Sequence, residues 1–146
     1  MFDNLLVVCM GNICRSPLGE MLLKDAFPNK LVRSAGIASL KSNLVGKSAD
    51  RMMKIVAENY QIDLSSHQAQ QLTPELCQQA DLILVMEKKH IKMIECILPG
   101  VRGKTMLYGQ WIGKEIPDPY RQSQEAFEYV FDIMFKATET WKQRLK

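Results

Sequence analysis

The run Leu5-Leu6-Val7-Val8-Cys9 is apolar at every position, stops at Met10-Gly11-Asn12, and is followed almost at once by the helix-start pair Ser16-Pro17. A strand that is apolar on both faces must be covered on both, which restricts it to the interior of a sheet with helices on each side. Ser16 reads as N-cap and Pro17 as the first helical position, with Leu18, Met21, Leu22 and Ala26 on one face of a helix ending near Phe27. The pattern then recurs. Leu31 to Ala35 reads as a second strand and Asp50 to Tyr60 as a helix. Thr73-Pro74-Glu75 starts a short helix before Ala80, and Leu82 to Met86 is a third buried strand. A helix over Lys88 to Leu98 and a fourth strand over Thr105 to Tyr108 follow. Phe127, Val130, Phe131, Met134, Thr138, Trp141 and Leu145, at steps of three and four, mark the last helix. Strand and helix in alternation imply a parallel sheet with helices on both faces. Sheets of this kind bind ligands at the carboxyl ends of strands where the order reverses. With the first strand central, the loop opening at Cys9 lies there.

A chain of 146 residues fits one domain, 1–146, with a core large enough to dispense with disulfide or metal staples. No apolar stretch is long enough to span a membrane, and the start lacks the basic region of a secretory signal, so a cytoplasmic location and no membrane insertion are expected. The net charge of +3 comes from scattered residues, too weak a bias for nucleic-acid binding. Cys9, Cys14, Cys77 and Cys96 form no C-x-x-C pair, and His67 and His90 are far apart, so no zinc site and no cofactor are expected. Cys77 and Cys96 fall in helical patterns and read as core.

The segment Cys9-Met10-Gly11-Asn12-Ile13-Cys14-Arg15-Ser16 leads from buried strand to helix. Such a loop can wrap a tetrahedral anion: Gly11 and Asn12 tolerate left-handed angles, successive N–H groups then point inward, and the helix adds its positive end. One curl of chain returns Arg15 over the anion, where its planar fork can hold two phosphate oxygens. The same field would stabilise a thiolate at Cys9. Cysteines so placed fall from about 8.5 to roughly 3.5–7.5, which makes Cys9 a nucleophile at neutral pH.

Val7 to Pro17 resembles the phosphate-binding signature of the low-molecular-weight protein tyrosine phosphatases. The resemblance continues through Ser34-Ala35-Gly36, Ser66-His67, Asp81 to Met86 and Asp118-Pro119-Tyr120. Met86-Glu87-Lys88 and Ile116 to Arg121 are similar to the bacterial branch acting on tyrosine autokinases of capsule or exopolysaccharide export. The expected fold is a three-layer α/β sandwich whose four-stranded parallel sheet has the order 2-1-3-4. The resemblance implies a monomeric, metal-independent phosphotyrosine phosphatase whose partner is a tyrosine-phosphorylated protein, with a bacterial tyrosine kinase as the first candidate. It also implies that residues Met10 to Ser16 bind phosphate, that Asn12, Ser34 and His67 brace the loop, and that Cys14 traps oxidised Cys9 as a disulfide.

A phosphate ester attacked by Cys9 needs its leaving oxygen protonated. Asp118, held between Pro117 and Pro119, is the candidate acid. To serve, it must keep its proton above the ordinary value of about 3.9. Ser16 can donate to the departing Cys9 sulfur while capping the helix. Tyr120 is expected at the entrance, stacking on the substrate ring. Arg121 stands where eukaryotic relatives have a second tyrosine, and Leu40 takes a rim position often held by an aromatic residue. The whole segment Ile37 to Gly46 offers no aromatic wall. Gly46-Lys47-Ser48 and Gly103-Lys104-Thr105 mimic the end of a nucleotide P-loop but lack its earlier glycine. Lys88-Lys89-His90 reads as a solvated helix start. Two alternatives stay open: a thiol-dependent arsenate reductase of the same fold, disfavoured by the separation of Cys77 from Cys96, and a phosphotyrosine-binding module without turnover.

Overall fold

The structure, a computed structural model, describes residues 2–145. Strand β1 (Asn4–Cys9) is followed by helix α1 (Arg15–Ala26), strand β2 (Leu31–Gly36), and helices α2 (Arg51–Glu58) and α3 (Pro74–Gln79). Strand β3 (Leu82–Val85), helix α4 (Lys88–Ile97), strand β4 (Thr105–Leu107) and the long helix α5 (Gln124–Arg144) complete it. The four strands form one parallel sheet in the order β2-β1-β3-β4, as expected.

The continuous apolar run of β1 is explained by two cores, one on each face. Leu5, Val7 and Cys9 point into a core built with α1, α2 and α5, where Leu18, Met53, Phe127, Met134 and Trp141 are buried. Leu6 and Val8 point to the other face, against Leu76, Cys77 and Ile94 of α3 and α4. Side-chain caps start two of the helices, the one at Thr73 as anticipated and the one at Asp50 in addition. Thr73 Oγ1 accepts from the Leu76 N–H at 3.2 Å with proline next in line, and Asp50 Oδ1 accepts from Met52 and Met53.

Three local readings need correction. Helix α1 begins two residues earlier than expected, with Cys14 as N-cap and no side-chain cap, because the Ser16 hydroxyl is directed to the Cys9 sulfur instead. His90 is not solvated: it is fully buried, its Nδ1 accepting the Glu87 backbone N–H at 3.2 Å in a capping box that turns the ring inward. Cys96 is exposed, on the outer side of α4, whereas Cys77 is buried as anticipated.

Because β1 is flanked by β2 on one side and β3 on the other, the chain order reverses beside its carboxyl end. The loop leaving Cys9 therefore emerges at the switch point. Gly36, at the end of β2, lets the loop pass: a Cβ there would lie 2.8 Å from the Gly11 carbonyl carbon and the Met10 oxygen.

Candidate active site

Cys9 closes β1 and its side chain is buried. Its Sγ lies 2.9 Å from Ser16 Oγ and receives the Asn12 N–H at 3.3 Å. Asn12 carries the one left-handed turn within the loop, at φ 62°, while Gly11 does not use that freedom; an added Cβ at Gly11 would instead meet Leu44 Cδ1 at 2.8 Å. Asn12 is fully buried, and every polar atom of its side chain is engaged. Nδ2 donates to Ser16 Oγ at 2.7 Å and Ser34 Oγ at 3.0 Å, and Oδ1 accepts from the Gln70 N–H at 2.9 Å. His67 Nε2 is 2.6 Å from the Asn12 carbonyl oxygen, which can only accept, so that nitrogen carries the proton. Ser34, Asn12 and His67 are thus brought together behind the loop.

The network extends to two residues that were not singled out. Ser34 Oγ donates to Glu20 Oε1 at 2.5 Å, and Glu20 in turn pairs with Lys24 at 2.7 Å. With the Ser34 proton on Glu20 and the Asn12 amide donating into Ser16 Oγ, the hydroxyl proton of Ser16 is left to point at sulfur. The chain Glu20–Ser34–Asn12–Ser16 therefore fixes a donor on Cys9. Glu20 escapes sequence reading because its spacing to Lys24 is that of an ordinary exposed helix pair.

The second is Glu87, just past the carboxyl end of β3. Arg15, 2% exposed, gives Nη1 to Glu87 Oε2 at 2.7 Å and to the Ile116 carbonyl at 2.8 Å. Its Nε has no partner among the described residues, and Nη2 lies 3.9 Å from Asp118 Oδ2. One edge of the guanidinium is pinned, leaving the Nε–Nη2 edge to take two oxygens of an anion. Burial alone would push Glu87 up, but the hydrogen bond and charge of Arg15, helped by His90 and Lys89, outweigh it and hold the carboxyl below its usual range. Cys14 is buried beside Cys9. Burial first, then the negative charges of Asp50 and Cys9, push its thiol far up, so it is neutral where Cys9 is to act.

These groups line a cleft of about 330 Å³ that includes Cys9, Cys14, Arg15, Leu44, Asp118 and Tyr120. Asp118 is half exposed, its Oδ1 accepting the Tyr120 N–H at 3.0 Å across the proline-flanked turn. Tyr120 stands at the mouth, exposed and lining the cleft. Leu40 does not reach the cleft: it is 70% exposed, and Ala38, Ser42 and Leu44 form that wall, which lacks an aromatic residue. A groove of equal volume between α1 and α5, lined by Tyr60, Phe131 and Phe135, holds no pairing of nucleophile and cation. Among the described residues no group of three histidine, cysteine or acidic side chains is placed to hold a metal, and no helix is long and apolar enough to cross a membrane.

His90 supplies a testable pH response. Burial, and next the positive charge of Arg15, push it down to about 4. An unfolded chain, titrating near 6.5, takes up the proton first, so the stabilisation is complete above about 6.5 and is lost as pH falls toward 4. Between pH 6.5 and 5 the stability of the wild type is expected to fall about 2 kcal/mol more than that of His90→Asn, which keeps an acceptor for the Glu87 N–H. Urea unfolding at the two pH values measures this; parallel losses would show that His90 is not the titrating group.

The comparisons with known proteins agree with this geometry. Residues 4–146 match the family described as low molecular weight phosphotyrosine protein phosphatase. The chain is 51% identical over 146 residues to the probable low molecular weight protein-tyrosine-phosphatase AmsI of Erwinia amylovora, covering 99% of each chain. It is 49% identical over 145 residues to the low molecular weight protein-tyrosine-phosphatase Etp of Escherichia coli, covering 99% of this chain and 95% of that one. The structure of Vibrio vulnificus Wzb in complex with benzylphosphonate superposes with a TM-score of 0.97 at 54% identity, over 99% of both chains. The sheet order 2-1-3-4 and likeness along nearly the whole sequence converge, and the chain belongs to the low molecular weight phosphotyrosine protein phosphatase family.

Proposed function

We propose that this protein tyrosine phosphatase works in two steps through a phosphocysteine at Cys9. The observation that carries the reading is the convergence of the buried Cys9 sulfur, the free edge of Arg15 and the Asp118 carboxyl on one cleft. In the first step the Cys9 sulfur attacks phosphorus, the bond from phosphorus to the tyrosine oxygen breaks, and Asp118 gives its proton to that oxygen. In the second, Asp118 takes a proton from water, the water oxygen attacks phosphorus, and the bond to sulfur breaks with release of inorganic phosphate. Arg15 and the amides of Met10 to Ser16 hold the non-bridging oxygens throughout, and the Ser16 hydroxyl donates to sulfur as it leaves. When a peroxide converts Cys9 to its sulfenic acid, the Cys14 thiol displaces water to form a disulfide and spares Cys9 from further oxidation.

The substrate in this reading is a tyrosine-phosphorylated protein, with a tyrosine autokinase of capsule or exopolysaccharide export as the partner. The likeness of Met86-Glu87-Lys88 and Ile116 to Arg121 to that bacterial branch supports it. The four unpaired cysteines suit a reducing, cytoplasmic setting. Phosphate release from phosphotyrosine and phosphoserine peptides, run beside thioredoxin-coupled arsenate reduction, is the test. Hydrolysis of the phosphotyrosine peptide alone is expected. Arsenate reduction without peptide hydrolysis would replace this reading with the reductase, and tight peptide binding without turnover would replace it with a binding module.

A further inference from the structure

A second groove, of about 430 Å³, adjoins the catalytic cleft and shares two of its walls, Tyr120 and Arg121. Its far side is the first two turns of α2, bearing Arg51, Met52 and Ile55, over a floor that includes the buried Phe127. The α2 side is tied to the phosphate loop, because the Asp50 N–H donates to the Ile13 carbonyl at 2.7 Å. Arg51 and Arg121 are both exposed, and neither has an ion-pair partner among the described residues. Arg121 lies over the Tyr120 ring at 5.3 Å and adopts a left-handed backbone at φ 62°, a conformation that a side chain of this size rarely takes. Strained residues of this kind persist where the surroundings demand them, and they gather at ligand clamps. The one acidic group in the groove, Asp50, has Oδ1 occupied by the Met52 and Met53 N–H groups. Two guanidinium groups without a carboxylate partner among the described residues, against one engaged carboxylate, leave the groove positive.

We propose that this groove is a specificity subsite that takes an anionic side chain, a carboxylate or a second phosphate, carried one or two residues from the phosphotyrosine. The inference rests on the phosphotyrosine phosphatase reading. An extended peptide advances about 3.3–3.6 Å per residue, so with the phosphotyrosine ring between Leu44 and Tyr120 the neighbouring side chains pass over Tyr120 into the groove. There Arg51 and Arg121 meet the negative charge, and Met52, Ile55 and Phe127 receive the aliphatic or aromatic stem.

The experiment is a kcat/KM comparison on phosphotyrosine peptides with neutral flanks, with one glutamate walked through the two positions on either side, and with a second phosphotyrosine at the same positions. Each enzyme is scored by its own ratio of anionic to neutral peptide. Wild type is expected to favour the anionic peptide by about three- to tenfold in at least one position, as two exposed ion pairs allow. Added salt should shrink that preference. Arg51→Gln should lose most of it, and Arg51→Lys, which keeps the charge, should recover it. A gain with glutamate identifies a carboxylate as sufficient; a gain only with the doubly phosphorylated peptide identifies phosphate. Efficient cleavage by wild type with a ratio of one at every position would overturn the subsite and leave the phosphatase reading standing. A preference that survives in both Arg51→Gln and Arg121→Gln would overturn it as well. Cleavage of no phosphotyrosine peptide would overturn both.

Discussion

Cys9→Ser is expected to lower kcat by at least about 10⁴-fold while leaving the fold and the anion site intact. The substitution keeps a small side chain at the end of β1 and leaves Arg15, Asn12 and the loop amides in place, so only the nucleophile changes. A serine hydroxyl in that position lacks a base. Its neighbours Ser16 and the Asn12 N–H both offer hydrogens to the sulfur rather than accept one. Thermal stabilisation by inorganic phosphate should persist in the variant, which separates lost chemistry from lost structure. Retention of more than about a hundredth of the wild-type kcat would show that Cys9 is not the attacking group, whatever its position in the cleft.

The second large effect is at Asp118, and here its dependence on leaving group is the informative part. Asp118→Ala should reduce kcat on a phosphotyrosine peptide by about 10²–10⁴-fold, the usual worth of a positioned acid. On p-nitrophenyl phosphate, whose leaving group departs readily without a proton, the loss should be distinctly smaller. Asp118 is suited to the role because it is half exposed at the cleft mouth and anchored to the Tyr120 N–H, away from the engaged edge of Arg15. An equal loss on both substrates would assign Asp118 to holding Arg15 rather than to proton transfer.

Much of this arrangement was legible from one stretch of sequence. The five apolar residues Leu5 to Cys9 implied a doubly covered strand, and the two cores on either side of β1 are its direct consequence. Gly11-Asn12 within a short loop, followed by Arg15 and Ser16-Pro17, implied an anion loop entering a helix, and Asn12 does take the left-handed turn. Side chains with two uses are where sequence pattern and structure differ. Ser16 is a good cap in isolation, yet a hydrogen bond to a buried sulfur leaves the cap position to Cys14. His90, flanked by lysines, looked solvated, but Arg15 draws Glu87 inward and the capping box carries the imidazole with it.

What was missed lies far apart in the chain. Glu20 meets Ser34 only because α1 packs beside β2, and Glu87 meets Arg15 only because β3 lies next to β1. No spacing rule links these pairs. The switch-point argument could still have flagged Glu87, since it follows the carboxyl end of the strand beside Cys9. The resemblance assigns Leu40 to the rim, but the turn from Ala38 to Asn43, with Ser42 N–H bonded to the Ala38 carbonyl, carries it outward and presents Leu44.

A phosphorus–sulfur bond at Cys9 is the intermediate that distinguishes this chemistry from direct hydrolysis. Wild-type enzyme quenched with acid during steady hydrolysis of p-nitrophenyl phosphate, digested and mapped by mass spectrometry, should carry one phosphoryl group on the peptide containing Cys9, and Cys9→Ser should carry none. Steady turnover with the phosphoryl group absent from Cys9, or found on another residue, would contradict it.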